Sequence, residues 1–143
     1  MSRSIFLWAI LAATGLAVDA QVPETRTARL TPSPIEAATS FELTGGGSAT
    51  ATLTGTTLTV DGTFDGLQEA ATTASLHAEA RGLRGPMVAS LELNGSTGGT
   101  IRAEVKLSDV QAGYFRDQRL YIQLQSETHP EGLLRGWLVQ PED

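Results

Sequence analysis

The sequence predicts an all-β domain: an antiparallel β-sandwich or small Greek-key barrel of about eight short strands with one short helix. Three observations carry that expectation. Apolar and polar residues alternate in eight short segments, the period-two pattern of strands that bury one face. Glycine-bearing reversals, 54-TGT-56 and 94-NGSTGG-99, separate several of them and supply the positive φ that tight turns demand. Cysteine is absent from the 143 residues, so core burial rather than sulfur bridges has to hold the fold.

The elements follow in order. Residues 1–20 read as a signal peptide. Arg3 gives a basic start, 5-IFLWAILAATGLAV-18 is an apolar run of fourteen, and Val18 to Ala20 present tolerated residues for cleavage near Ala20. That run is short for a permanent membrane span. Residues 21–36 read as a flexible leader, because Pro32 and Pro34 interrupt any regular element. One β-domain over 37–143 is expected to follow, with strands at 41-FEL-43, 49-ATATL-53, 57-TLTVDGTF-64, 72-TTASLHAEA-80, 87-MVASLEL-93, 101-IRAEVKL-107, 120-LYIQLQ-125 and 133-LLRGWLV-139. Alternation continues across Asp61-Gly62, so that stretch reads as strand rather than turn. In 108-SDVQAGYFRDQ-118, Ser108 and Gln111 form a capping box, and Val110 and Tyr114 are expected to share the inward face of a short crossover helix.

Facing is read from the same alternation. Leu76, Leu91, Ile101, Val105, Leu120, Ile122 and Leu124 point inward. The opposite rows, Thr73, Ser75, His77 and Glu79; Arg102, Glu104 and Lys106; and Tyr121, Gln123 and Gln125, are expected on solvated faces.

Composition and motifs narrow the function classes. The leaderless chain has nine basic and fifteen acidic side chains, the same net −6 as the whole. That balance, with sparse aromatics and no basic patch interleaved with them, argues against nucleic acid as a partner. No nucleophile elbow, phosphate loop or dinucleotide fingerprint occurs. Only His77 and His129 are available as imidazoles. A metal site would use His77 with nearby polar groups such as Glu79, and a hydrolase would pair a histidine, for His129 with Glu127 or Glu131, with a carboxylate. Neither pattern is specific. Arg135 is set between Leu134 and Gly136, where it either reaches a carboxylate on a neighbouring strand or bonds carbonyls at the preceding corner.

The blocks 75-SLHAEARGLRGPMVASL-91 and 121-YIQLQSETHPEGLLRG-136 resemble the CHRD domain family, the module named for chordin and also found singly in bacterial exported proteins. The likeness runs from Ala37 to Val139, and His77, Gly85, Pro86, Tyr121, Pro130, Gly132, Arg135 and Gly136 fall on its pattern. Ser75 and Gln125 stand where the family has histidines, and Leu133 where it has a glutamate. The resemblance implies an all-β extracellular domain without general enzymatic activity. The expected protein is a non-enzymatic, exported β-domain, periplasmic or secreted, with a structural or protein/ligand-binding role and no cofactor. Its candidate contact residues are His77, Tyr121, Gln125, Arg135 and Trp137, and its expected partner is an envelope or extracellular protein.

Overall fold

The computed structural model describes residues 22–33 and 44–141. The signal peptide read at 1–20 and the strand read at 41–43 lie outside them. Gly55, at φ +65°, turns the chain between β2 (Gly46–Thr54) and β3 (Thr57–Asp65). Those strands pair from Thr54 with Thr57 out to Gly46 with Asp65, so β3 does run unbroken through Asp61-Gly62. A second hairpin joins β5 (Met87–Gly95) to β6 (Gly99–Lys106) across the other glycine-rich reversal, with Gly95 opposite Gly99. Together with β1 (Glu24–Pro32), β4 (Thr73–Ala78), β7 (Leu120–Gln125) and β8 (Leu134–Trp137), the strands form a closed barrel. Its order is β1-β2-β3-β6-β5-β4-β7-β8, and all pairings are antiparallel, including the closing pair of β1 with β8.

The leader reading needs correction. Residues 24–32 are β1, paired with β2 from Glu24–Leu53 to Leu30–Gly47. Its apolar alternation is faint because an inward position holds Arg26, while Ala28 and Leu30 fill the next two. Phe115 makes Arg26 tolerable there: its ring lies 5.1 Å beneath the guanidinium, a cation–π contact that substitutes for water. Pro32 sits at the last residue of the strand, where a missing N–H does least harm.

Helix α1 (Asp109–Arg116) crosses from β6 to β7. The Ser108 side chain accepts from the Gln111 N–H and the Gln111 side chain from the Ser108 N–H, completing the capping box. Its buried face differs from the expected one. Ala112 and Phe115 face the core, Tyr114 packs at its margin, and Val110 is 64% exposed. Phe115 is fully buried in the core cluster with Ala112 beside it.

Inside, Leu53, Leu58, Leu76, Ile101, Leu120, Ile122, Leu124, Leu134 and Leu138 are sealed from solvent. Arg102, Glu104 and Lys106 face water as expected. The rows on β4 and β7 do so only in part, for Thr73 is exposed and His77 and Gln125 are half-buried. Ser75, Gln123 and Tyr121, the last only 1% exposed, are buried although they point out of the barrel. The 79–86 segment is laid over this outer face, and Arg135 of β8 closes it from the other side.

Candidate functional site

The buried outer face arises from register. Antiparallel pairing places His77 opposite Tyr121 and Ser75 opposite Gln123 across β4/β7. It places Tyr121 opposite Trp137 and Gln123 opposite Arg135 across β7/β8. Side chains of such pairs share one face of the sheet. His77, Tyr121, Gln125, Arg135 and Trp137 therefore meet on one surface, together with Ser75 and Gln123.

Tyr121 is the centre of that surface. The His77 ring stacks on it at 5.0 Å and Trp137 lies against it at 4.6 Å. The Arg135 guanidinium sits over its ring at 5.4 Å, a cation–π contact. The phenol is fixed from outside: the Gly85 N–H donates to Tyr121 Oη at 2.9 Å, and the hydroxyl donates to the Gly85 carbonyl at 3.3 Å.

His77 is engaged at both ring nitrogens. Nδ1 is 2.9 Å from the Gly85 carbonyl, which can only accept, so Nδ1 carries the proton. In the neutral ring Nε2 then accepts from the Ser75 hydroxyl at 2.8 Å. Glu79 is turned away to Arg119 at 3.3 Å, and the backbone Ala80 N–H and Arg119 hold its carboxyl below the usual range. The Glu79 carbonyl accepts from Trp137 Nε1 at 2.9 Å. Among the described residues no three His, Asp or Glu side chains converge in a group able to hold a metal ion. With both nitrogens occupied, His77 offers no lone pair to one.

Gln125 is pinned into the sheet. Its Oε1 accepts from Thr73 Oγ1 at 3.1 Å and its Nε2 donates to the Pro130 carbonyl at 2.9 Å, while Ser75 Oγ, its proton given to His77, lies 3.3 Å from the same oxygen. Arg135 is held by neutral acceptors. Nε and Nη2 donate to Gln123 Oε1 at 2.9 and 2.6 Å, and Nη2 reaches the Glu131 carbonyl at 3.2 Å. Burial, in the main, lowers its pKa, with the nearby Arg84 charge acting the same way and Tyr121 opposing. Of the two readings of Arg135, the corner carbonyl is met, as the longer contact beside the Gln123 anchor, and among the described residues no carboxylate is.

Two glycines make this geometry possible. Gly132 has φ +132°, and a Cβ there would stand 2.9 Å from the Ser33 carbonyl and 3.1 Å from Gln123 Oε1, the atom that holds Arg135. At Gly136 a Cβ would fall 2.3 Å from the Arg29 carbonyl oxygen, so only glycine lets β1 pass this close to β8.

His129 is placed elsewhere. Its carboxylate partner is neither Glu127 nor Glu131 but Glu69, whose Oε1 lies 2.5 Å from His129 Nδ1. Ser126 Oγ donates to the same Glu69 oxygen, Thr128 Oγ1 donates to Oε2 at 2.5 Å, and the His129 N–H donates to Ser126 Oγ at 3.0 Å. The hydrogen bonds from Ser126 and Thr128, then the His129 contact, bring Glu69 from 4.5 down to about 2. The serine proton is committed to the carboxylate rather than to the imidazole, the reverse of an activated nucleophile. This cluster ties the β3–β4 connection to the β7–β8 corner.

Sequence reasoning named five residues of the outer face but missed Gln123, which alternation placed beside Tyr121 and Gln125 on a face taken as solvated. It also missed the groove that runs next to Arg135. This groove, of about 1310 Å³, follows the outer side of the β1–β8 seam and is lined by Arg29, Arg81, Arg135 and Trp137 among others.

The chain is thus a closed antiparallel barrel with an ordered outer face on β4, β7 and β8. The chain belongs to the CHRD domain family, which matches residues 26–138. That span begins inside β1, agreeing with the strand rather than with a leader. No curated protein and no solved structure matches the chain. Among the described residues no helix is long and apolar enough to cross a membrane.

Proposed function

We propose that this CHRD domain is an exported binding module, working in the periplasm or outside the cell, that engages an envelope or extracellular partner through the outer face of β7 and β8. One observation carries the reading. The sheet face that would ordinarily be solvated is built into an ordered aromatic and polar surface, and among the described residues no carboxylate pairs with Arg135 at its margin. Buried polar groups are normally satisfied by their own kind or by what they bind. Within that surface His77, Tyr121 and Gln125 act as the frame, because their polar atoms are spent internally. Trp137 and Arg135 are the contact residues. Residues 1–20 serve as the export signal.

Affinity capture from the native envelope tests the module. Wild type and a folded His77→Ala variant should retain the same partner, and Trp137→Leu and Arg135→Gln should lose it. Equal capture by all four, with circular dichroism showing intact folds, would remove the binding face from consideration. Mass spectrometry of the exported protein should find an N-terminus near Gln21; a retained apolar segment would refute the export signal.

A further inference from the structure

The groove beside Arg135 is unlike the rest of this acidic chain. Arg29, Arg81, Arg84 and Arg135 are four of the chain's ten basic side chains. Arg29, Arg81 and Arg135 line the groove and Arg84 is close enough to bear on Arg135. Among the described residues, ion pairs go to Arg26, Arg102, Arg116, Arg119 and His129, and none goes to these four. The described lining contains no Asp or Glu. Arg135 is only 8% exposed, and its Nη1 makes no hydrogen bond in the described structure, while its other donors are held by Gln123 and Glu131. Like charges gathered without counter-charges repel one another, which is an arrangement an anion relieves.

Other features of the lining choose among anions. The β1 and β2 side of the groove contributes the hydroxyl-bearing residues Thr27, Thr31, Ser48 and Thr50, and Trp137 contributes an aromatic group. Hydroxyls and an aromatic suit a sugar's own hydroxyls and apolar ring face. Nucleic acid would need a series of stacking aromatics, and the lining has one. Its volume exceeds the roughly 300–1000 Å³ typical of a pocket for one small ligand. We infer that the groove along the β1–β8 seam binds an acidic oligosaccharide, with Arg135 Nη1, Arg29 and Arg81 meeting its carboxylate or sulfate groups and Trp137 meeting a sugar ring. The inference rests on the binding-face reading and names its ligand class.

In the exported protein, cleaved near Ala20, Trp137 is the single tryptophan, so its fluorescence reports this groove alone. The probes are a galacturonate hexamer, a sulfated dextran oligomer, maltohexaose and hexaglutamate. The first or second should quench Trp137 saturably, and which of them binds tighter separates uronate from sulfate as the recognised group. Affinity should fall with salt, and Arg29→Gln and Arg81→Gln should each weaken it by about three- to tenfold without changing the melting temperature. Those two exposed positions keep the test sound if Arg135 variants fail to fold. Equal binding of maltohexaose, stronger binding of hexaglutamate, indifference to both arginine changes, or no binding by either acidic sugar would each overturn the inference. If the acidic sugars fail while Trp137→Leu still abolishes envelope capture, only the ligand class falls; if capture is also indifferent to Trp137, the binding face falls with it.

Discussion

Replacing Gly136 with alanine should open the barrel at its closing seam. The added Cβ would lie 2.3 Å from the Arg29 carbonyl oxygen, 2.9 Å from its carbon and 3.1 Å from Leu30 Cδ2. Two of those three atoms are backbone, so no side-chain rotation relieves the clash. Ordinary contact begins at 3.4 Å, so β1 has to retreat from β8 by about 1 Å. Besides the ladder at Thr31 and Arg135, the bonds that cross this seam include Thr27 N–H to Val139 O and Val139 N–H to Thr27 O, both 2.8 Å, and Ser33 N–H to Leu133 O at 3.1 Å. A retreat of that size takes them beyond hydrogen-bonding reach. Losing two or three at a net ~1 kcal/mol each, with some loss of packing at Leu30, gives a destabilisation of about 2–4 kcal/mol. For a domain of this size that corresponds to a drop of roughly 10 °C in melting temperature. Gly113→Ala is the matched control, because Gly113 sits in α1 with nothing within 4 Å of a Cβ. It should stabilise by about 0.5–1 kcal/mol. Thermal and urea unfolding followed by circular dichroism measure both. Gly136→Ala as stable as wild type would show that the strands do not need their close approach.

The Glu69 corner should make stability depend on acid. Its carboxyl is depressed from 4.5 to about 2, so the stabilisation is complete above about pH 4.5 and fades as pH falls toward 2. A sealed carboxylate would contribute about 3 kcal/mol, but at 31% side-chain exposure solvent screening leaves about 1–2. Glu69→Gln should therefore cost about that much at pH 7 and little at pH 2, and a constant difference across the range in urea titrations would reject the linkage. Tyr121→Phe removes the partner of the Gly85 N–H and should cost about 1–2 kcal/mol; unchanged hydrogen exchange at Gly85 would contradict it. Ser108→Ala should lose about 1 kcal/mol by removing the cap on the Gln111 N–H, and a neutral result in thermal unfolding would mean the helix is held by Phe115 alone.

Seven strands and the helix were legible because their alternation or capping is local. β2 through β8 need only their own residues and neighbouring turns to be recognised. β1 was hidden by long-range compensation: Arg26 occupies an inward slot that Phe115, far along the chain, makes habitable. The helix face was misjudged for a related reason. Val110 and Tyr114 are spaced to share a face, but the core accepts Ala112 and Phe115. For the outer face, alternation told which way Tyr121 and Gln123 point and not what lies on top of them. Their cover comes from Gly85 and Arg135, which belong to other elements. The resemblance at His77, Tyr121 and Arg135 located the candidate site where spacing could not. Arg29 and Arg81 were missed because the groove forms only when the strands flanking it are brought side by side.

Since β1 and β8 are the first and last strands among the described residues yet neighbours in the barrel, the sheet cannot become a cylinder until β8 has emerged. If the proposed export threads the chain N-terminus first, the barrel closes only after its last strand has left the channel. The groove at that seam is then the last surface to come into being, and any ligand seated there binds finished molecules in preference to nascent ones.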